Sequence, residues 1–415
     1  MLHGHCCFYD DFTQLVTTLL WLPCINFVLQ HYPITNIEQP IIINHPTKPT
    51  NNNNNIRKAT TMSEQAVNFA PENCVGPTSE LAGKSEGCGG CPNQSLCKSG
   101  EAKQMLEQND SAVNEVKARL STVKHKILIL SGKGGVGKST VTTQLAWFLS
   151  SLGANVGVCD VDICGPSIPH MLGVANHDVR QSSLGWEPVY ASEQLSVMSV
   201  AFLLDSVNDA VIWRGPRKNG LIKQFLGEVN WGELDFLLID SPPGTSDEHL
   251  AVNTYLSQCE IDGAVIVSTP QAIALLDVRK EITFCHRTKI PVLGLVQNMA
   301  GFSCASCGIK SRLFAPTTDS IHKVANELNV PILGDIPLDP DLMASCDIGE
   351  PYHINHPTSP SVPYLCNLVK SLLQKSPQLQ ATDERLQLSQ SLDELIELHK
   401  QAQPANQQHN HSMGE

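Results

Sequence analysis

The segment ILILSGKGGVGKSTVTTQLA, residues 127–146, limits what this chain can fold into more than any other. A short apolar run enters a glycine loop, and the loop enters a stretch with helical spacing. The loop GKGGVGKS, residues 132–139, has the spacing G-x-x-x-x-G-K-[ST] of a phosphate-binding P-loop. Gly132 and Val136 frame a turn in which Gly134, Gly135 and Gly137 let backbone N–H groups point at phosphate oxygens. The helix that follows, through Ser139 and Thr140, offers its positive end to the same anion. Lys138 is placed to reach the β- and γ-phosphates, and the Ser139 hydroxyl to bind Mg²⁺. ATP and Mg²⁺ are therefore the expected ligands.

A strand–loop–helix needs a sheet to sit in. Between residues 125 and 375 the apolar runs KILILSG, NVGVCDVD, FLLID, GAVIVSTP, PVLGLVQNM and PILGDIP alternate with helical stretches. Continuous apolar runs mark strands buried on both faces, hence an α/β fold with a mostly parallel sheet flanked by helices. Two of these strands end in acids. VCDVDICGPSIP places Asp160 and Asp162 at a strand end, where a carboxylate can hold Mg²⁺-bound water or orient an attacking water. FLLIDSPPGT ends in Asp240, placed as a Walker B acid to hold Mg²⁺ through water, with Gly244 beside the γ-phosphate. The bland reading of either acid is a strand-end cap, and two of them beside a P-loop weaken it.

The chain has fifteen cysteines in 415 residues, too sparse for a secreted disulfide scaffold. Cys159, Cys164, Cys259, Cys285, Cys346 and Cys366 are scattered among apolar segments and read as small buried hydrophobes. Six others are placed differently. Cys74, Cys88, Cys91 and Cys97 are separated by thirteen, two and five residues in a Gly- and Ser-rich stretch. That stretch, residues 62–100, has too few large apolar residues for its own core and needs a staple. A disulfide fits poorly beside a phosphate loop; zinc suits four thiolates; an iron–sulfur cube tolerates the uneven spacing, with Gly87, Gly89, Gly90 and Pro92 allowing tight turns. Cys304 and Cys307 form a C-x-x-C in NMAGFSCASCGIKS. Two thiolates fill half of a four-coordinate site, so a two-fold axis between two chains would complete it. Zinc and a redox dithiol are the other readings of that pair.

The remaining organisation is simple. Residues 1–61 include the run NNNNN and read as a disordered leader or an extension of the coding sequence, with Met62 as the working start. Residues 101–124 read as a polar helical connector with Met105, Val113, Val116 and Leu120 near one face. Residues 376–415 hold an acidic helix candidate, DERLQLSQSLDELIELHK, read as a docking helix, and a polar tail. The formal charge of −13 argues against nucleic-acid binding and against a polybasic membrane contact. Residues 15–29 are too short, and interrupted by Pro23, to read as a membrane span.

KGGVGKST resembles the deviant Walker A ATPases, the group of MinD, ParA, nitrogenase iron protein and Mrp. DVDICGPS, WRGP (213–216), PPGT and the following C-x-x-C resemble its Mrp branch. With the four earlier cysteines, residues 62–375 are similar to the eukaryotic members that act in cytosolic iron–sulfur cluster assembly. The resemblance implies that Lys133 crosses a dimer interface to the partner's nucleotide, that Asp162 positions water, and that Asn298 reads adenine. It implies one [4Fe–4S] cluster held by Cys74, Cys88, Cys91 and Cys97, and a labile one shared between two chains through Cys304 and Cys307. It further implies slow ATP hydrolysis, self-dimers, a heterotetramer with the paralogue nucleotide-binding protein 2, and cluster transfer to apoproteins in the cytoplasm and nucleus. The alternatives are a MinD/ParA-like positioning ATPase, which leaves the placed cysteines unexplained, and an electron-transfer ATPase, which has no need of the first four.

Overall fold

The computed structural model describes residues 74–204, 213–303, 310–314, 320–375, 392–394 and 396–397. These lie within one compact unit, Phe69–Glu415. Residues 1–61, Cys304, Cys307 and most of the C-terminal helix candidate lie outside the described residues.

After the loop that carries Cys74, Cys88 and Cys91 come α1 (Gln94–Ser99) and α2 (Glu101–Arg119). Gly100 joins them in a left-handed conformation, φ 84°, which glycine adopts without steric cost. Then β1 (Val123–Ser131), α3 (Lys138–Ser151), β2 (Val156–Asp160), a short α4 (Ile168–Met171), β3 (Arg180–Ser182), β4 (Gly185–Glu187), β5 (Val189–Ser192) and β6 (Leu195–Ser199) follow. The second half runs α5 (Gly215–Gly227), β7 (Leu234–Pro243), α6 (Asp247–Leu256), β8 (Gly263–Ser268), α7 (Ala272–Thr288), β9 (Val292–Ser303) and β10 (Lys310–Ser311). It closes with α8 (Ile321–Leu328), β11 (Ile332–Leu338), α9 (Pro340–Ile348), α10 (Tyr352–Asn355) and α11 (Val362–Lys375).

Among the described residues one sheet runs in the order β10-β9-β8-β1-β7-β2-β6-β5, with β11 also on β9. Every pairing from β9 through β6 is parallel, as is β11 on β9; only β5 and β10 run antiparallel, at the margins. The reason is visible in β1. Ile127 and Ile129 enter one buried cluster with Phe148 and Leu149 of α3, whereas Leu128 and Leu130 enter another with Phe225 of α5 and Ile282 of α7. A strand that must feed a core on both faces has no polar alternation, and the helical crossovers cover both sides.

All six expected strands form. The sequence reading omitted β6, whose five residues LSVMS are fully buried between β2 and β5. Two more details differ from expectation. Met105 is 48 % exposed although it shares a helix with the buried Val113 and Val116, because only the C-terminal half of α2 reaches the sheet domain. Cys164 is exposed and Cys259 half-buried, while Cys159, Cys285, Cys346 and Cys366 are buried. Near the C-terminus Leu392 is fully buried in the cluster of α3 and α11, and Asp393 pairs with Lys370 at 2.6 Å. No helix among the described residues is long and apolar enough to cross a membrane.

Candidate functional site

The P-loop joins β1 to α3 at the C-terminal edge of the parallel sheet. Gly135 and Gly137 both take positive φ, 78° and 85°. At Gly137 the reason is also space: a Cβ there would run into the Asn298 carboxamide. Asn298, buried at the end of the β9 parallel pairing, donates from Nδ2 to the Val136 carbonyl at 2.9 Å and so braces the loop from behind. Gly132 is equally constrained, since a Cβ would meet Asp277 of α7.

The loop encloses a cavity of about 240 Å³ lined by residues 133–140 together with Ser131, Asp162, Gly165, Ser167, Met171 and Pro243. All the expected loop residues except Gly132, which supports the loop from below, and the Asp162 side are thereby brought together. Asn298 is not among the lining residues.

Beneath the loop lies a closed polar knot. The register of β2 against β7 sets Asp160 directly beside Asp240. Asp240 is fully buried and accepts from Lys138 Nζ at 2.5 Å, Ser139 Oγ at 2.8 Å and Thr142 Oγ1 at 2.5 Å. Asp160, also fully buried, accepts from Ser199 Oγ at 2.8 Å and from the Asp162 amide at 3.1 Å. Burial and the neighbouring Asp240 push the Asp160 carboxyl well above the usual carboxylate range. Burial also pushes Asp162 up, with Lys138 opposing. The arrangement suits a phosphate anion: Lys138 and Ser139, both at the cavity, are held on Asp240 until a stronger pairing is offered. Lys133 pairs with Asp277 of its own chain at 3.7 Å and stays partly exposed at the cavity.

Thr142 and Asp277 were not foreseen. Thr142 had a signal, because it stands three residues after Ser139 and so on the same face of α3. Asp277 had none, since the loop residues it meets, Gly132 and Lys133, lie 144 residues or more away in the chain.

The four N-terminal cysteines are built on much slighter elements. Cys88 closes a single 3₁₀ turn, Glu86–Cys88, and Cys97 lies in α1. Gly83, at φ 72°, packs so closely on the Lys98 backbone that a Cβ has no room, and Gln94 donates to the Gly83 carbonyl at 3.1 Å. This folds residues 76–90 back over α1. Cys91 N–H donates to the Cys88 carbonyl at 3.2 Å, fixing the C-G-G-C turn. Burial, and the thiols of Cys91, Cys74 and Cys88 within electrostatic reach, push the Cys97 thiol up. The Ser85 hydroxyl, 3.1 Å from Cys88 Sγ, pulls that thiol down. The ten described cysteines are free thiols. Among the described residues no three Cys, His, Asp or Glu side chains are closed to the spacing of a metal ion. Four thiolates suit either a zinc ion or a four-iron cube.

Residues 122–373 match the model of the ParA family described as "NUBPL iron-transfer P-loop NTPase". The chain belongs to this family. Its match spans β1 through α11 and leaves the four N-terminal cysteines outside. Among solved structures, this ParA-family chain is 41 % identical to the nucleotide-binding protein of Archaeoglobus fulgidus in complex with ADP, with TM-score 0.51, over 58 % of this chain and 93 % of that one. The cell division ATPase MinD of Pyrococcus furiosus is 22 % identical over 60 % and 98 % of the two chains, TM-score 0.44. A ParA family ATPase of Chlorobium tepidum is 18 % identical over 61 % and 98 %, TM-score 0.44.

Proposed function

We propose that this P-loop NTPase is an ATP-dependent scaffold that assembles [4Fe–4S] clusters and hands them to cytosolic and nuclear apoproteins, as the eukaryotic nucleotide-binding protein 1 does. The observation that carries the reading is the conjunction of a built phosphate site with four free thiols on one short segment, on a chain whose family is described by iron transfer. Neither a positioning ATPase nor an electron-transfer ATPase has a use for those four thiols.

In this reading ATP enters the cavity with its phosphates against the N–H groups of residues 134–140. Lys138 exchanges Asp240 for the β- and γ-phosphates. Asp240 and Ser139 would hold Mg²⁺, which would supply charge neutralisation on the phosphates. Asp162 orients the attacking water, and Lys133 leaves Asp277 for the nucleotide of a second copy. Cys74, Cys88, Cys91 and Cys97 hold a resident [4Fe–4S] cluster. Cys304 and Cys307 share a cargo cluster across the dimer, within a heterotetramer with nucleotide-binding protein 2 in cytoplasm and nucleus.

The test is anaerobic purification with iron, sulfide and zinc analysis, followed by transfer to an apoprotein that needs a [4Fe–4S] cluster. Iron and sulfide in equal amounts, with transfer lost in Lys138→Ala, is the expected result. Zinc without iron overturns the scaffold. Cys304→Ser is expected to lose the shared cluster and keep the N-terminal one; equal loss of both argues against two separate sites.

A further inference from the structure

The WRGPRKNG segment resembles a family signature, yet nothing in the proposed chemistry uses its basic residues. Trp213 is stacked under the Arg217 guanidinium, whose Cζ lies 4.1 Å from the ring centroid. Lys218, one turn into α5, points elsewhere. Its Nζ lies 2.7 Å from Glu248 Oε1 and 3.0 Å from Cys164 Sγ. The lysine and glutamate side chains are only 17 % and 8 % exposed.

These two partners belong to the two sides of the nucleotide cavity. Cys164 sits between Asp162 and Gly165, both of which line the cavity. Glu248 is the second residue of α6, which begins four residues after the lining residue Pro243. At their base the two sides are joined by the β2–β7 pairing, where Val161 N–H donates to the Asp240 carbonyl at 2.9 Å; above it each has its own hydrogen bonds. The Asp162 loop hangs on Asp160 through its own amide, and the α6 entry is closed by the Ser246–His249 capping pair. Glu248 also lies within electrostatic reach of Asp162. Unpaired, its charge would press on the carboxylate assigned to the attacking water.

We propose that Lys218 is a positioning residue that ties the Asp162 loop to the start of α6, so that both sides of the cavity respond to nucleotide as one body. Lys218 lines no part of the cavity and touches no phosphate position. Its contribution is geometric and electrostatic: it fixes where Asp162 stands relative to the loop after Asp240, and neutralises Glu248 beside it. Burial pushes the Glu248 carboxyl up, and Lys218 with Ser246 more than offsets this, holding it below the usual range. Cys164 and Glu248 together raise the Lys218 ammonium. Cys164 is the weaker anchor, exposed and singly bonded, so it is the end that a moving loop can shed and regain.

This inference rests on the ATP-hydrolysing reading, so its test needs a signal that hydrolysis does not supply. Hydrogen exchange of residues 161–167 and 246–251 in the full chain, with and without Mg²⁺-ADP, gives one. Both stretches are expected to gain protection together in the wild type; in Lys218→Met only the first does. Equal coupling in the two proteins overturns the strut. In steady-state assays Lys218→Met is expected to lower kcat about tenfold while KM for ATP moves less than about twofold. A rise in KM at constant kcat overturns it. Should Lys218→Met fail to fold by circular dichroism, Cys164→Ala and Cys164→Ser decide. Serine keeps an acceptor for the ammonium and is expected to retain most of the rate that alanine loses; identical rates overturn the proposal. A chain that binds ADP but hydrolyses no ATP sinks the ATPase reading, and the exchange data still judge the strut.

Discussion

The phosphate loop and the four-cysteine segment are two candidate sites made by opposite means. Around the loop both lysines and Asp240 already have partners: Asp240 takes three donors, Lys138 is buried on it, Lys133 pairs with Asp277, and Asn298 braces the backbone. The site exists before its ligand. The cysteine segment has one 3₁₀ turn, one six-residue helix and a glycine packed on a backbone. One of its thiols, Cys88, is hydrogen-bonded to Ser85, and among its described apolar residues Cys88 and Ala82 are the buried ones. Folding there borrows stability from whatever joins the thiols, whereas the loop borrows it from the sheet.

The comparison breaks most sharply at Lys138. Lys138→Ala removes the phosphate cation and strands Asp240, and ATP hydrolysis is expected to fall roughly 10²–10³-fold. Iron bound at the N-terminal cysteines is expected to stay unchanged; its loss, read by metal analysis, would show the two sites to be one. A smaller effect separates the two ends of α2. Leu120, just past its C-terminus and 1 % exposed, is part of the sheet domain's core, so Leu120→Ala is expected to cost about 3 kcal/mol in urea unfolding.

Two buried histidines give the sheet domain a pH signature that the cysteine segment lacks. Burial pushes His249 and His353 down to about 4. A folded value below the unfolded one means stability is complete above about pH 6.5 and is lost as pH falls toward 4. Each is expected to cost about 2 kcal/mol by pH 5. Urea midpoints at pH 7 and pH 5 measure this, and His353→Gln should flatten the slope. The smallest effect belongs to Met105, exposed near the start of the same helix, where Met105→Ala is expected to stay within about 0.5 kcal/mol.

How much of this was legible in the sequence follows the same division. Long apolar runs and a glycine loop announce a parallel sheet and its phosphate site, because strand burial and loop geometry are local properties. The partners of Lys133, Lys218 and Asp240's neighbour Thr142 were less visible. Asp277 and Glu248 are ordinary acids on ordinary helices, and only the fold brings them to the lysines. Cys164 read as one more buried thiol among apolar neighbours; the turn after β2 carries it outward instead. Asn298 was read for a base contact by resemblance, and its carboxamide here supports the loop. The four cysteines were visible as a pattern, and the pattern left open whether their spacing closes on one ion.

Helix α5 spans thirteen residues, about 20 Å from end to end. Its first turn grips the nucleotide cavity through Lys218. Its far half grips α2: Lys223 pairs with Glu115 at 3.0 Å, and Arg119 donates to the Gly227 carbonyl at 3.1 Å. Gly227 lets Val116 sit against bare backbone, where a Cβ would come within 3.3 Å of the valine. Beyond α2 only Gly100 intervenes before α1, which contains Cys97. Helix α5 thus rests at one end on the residues flanking the nucleotide cavity and at the other on α2, whose own start adjoins the short helix that carries Cys97.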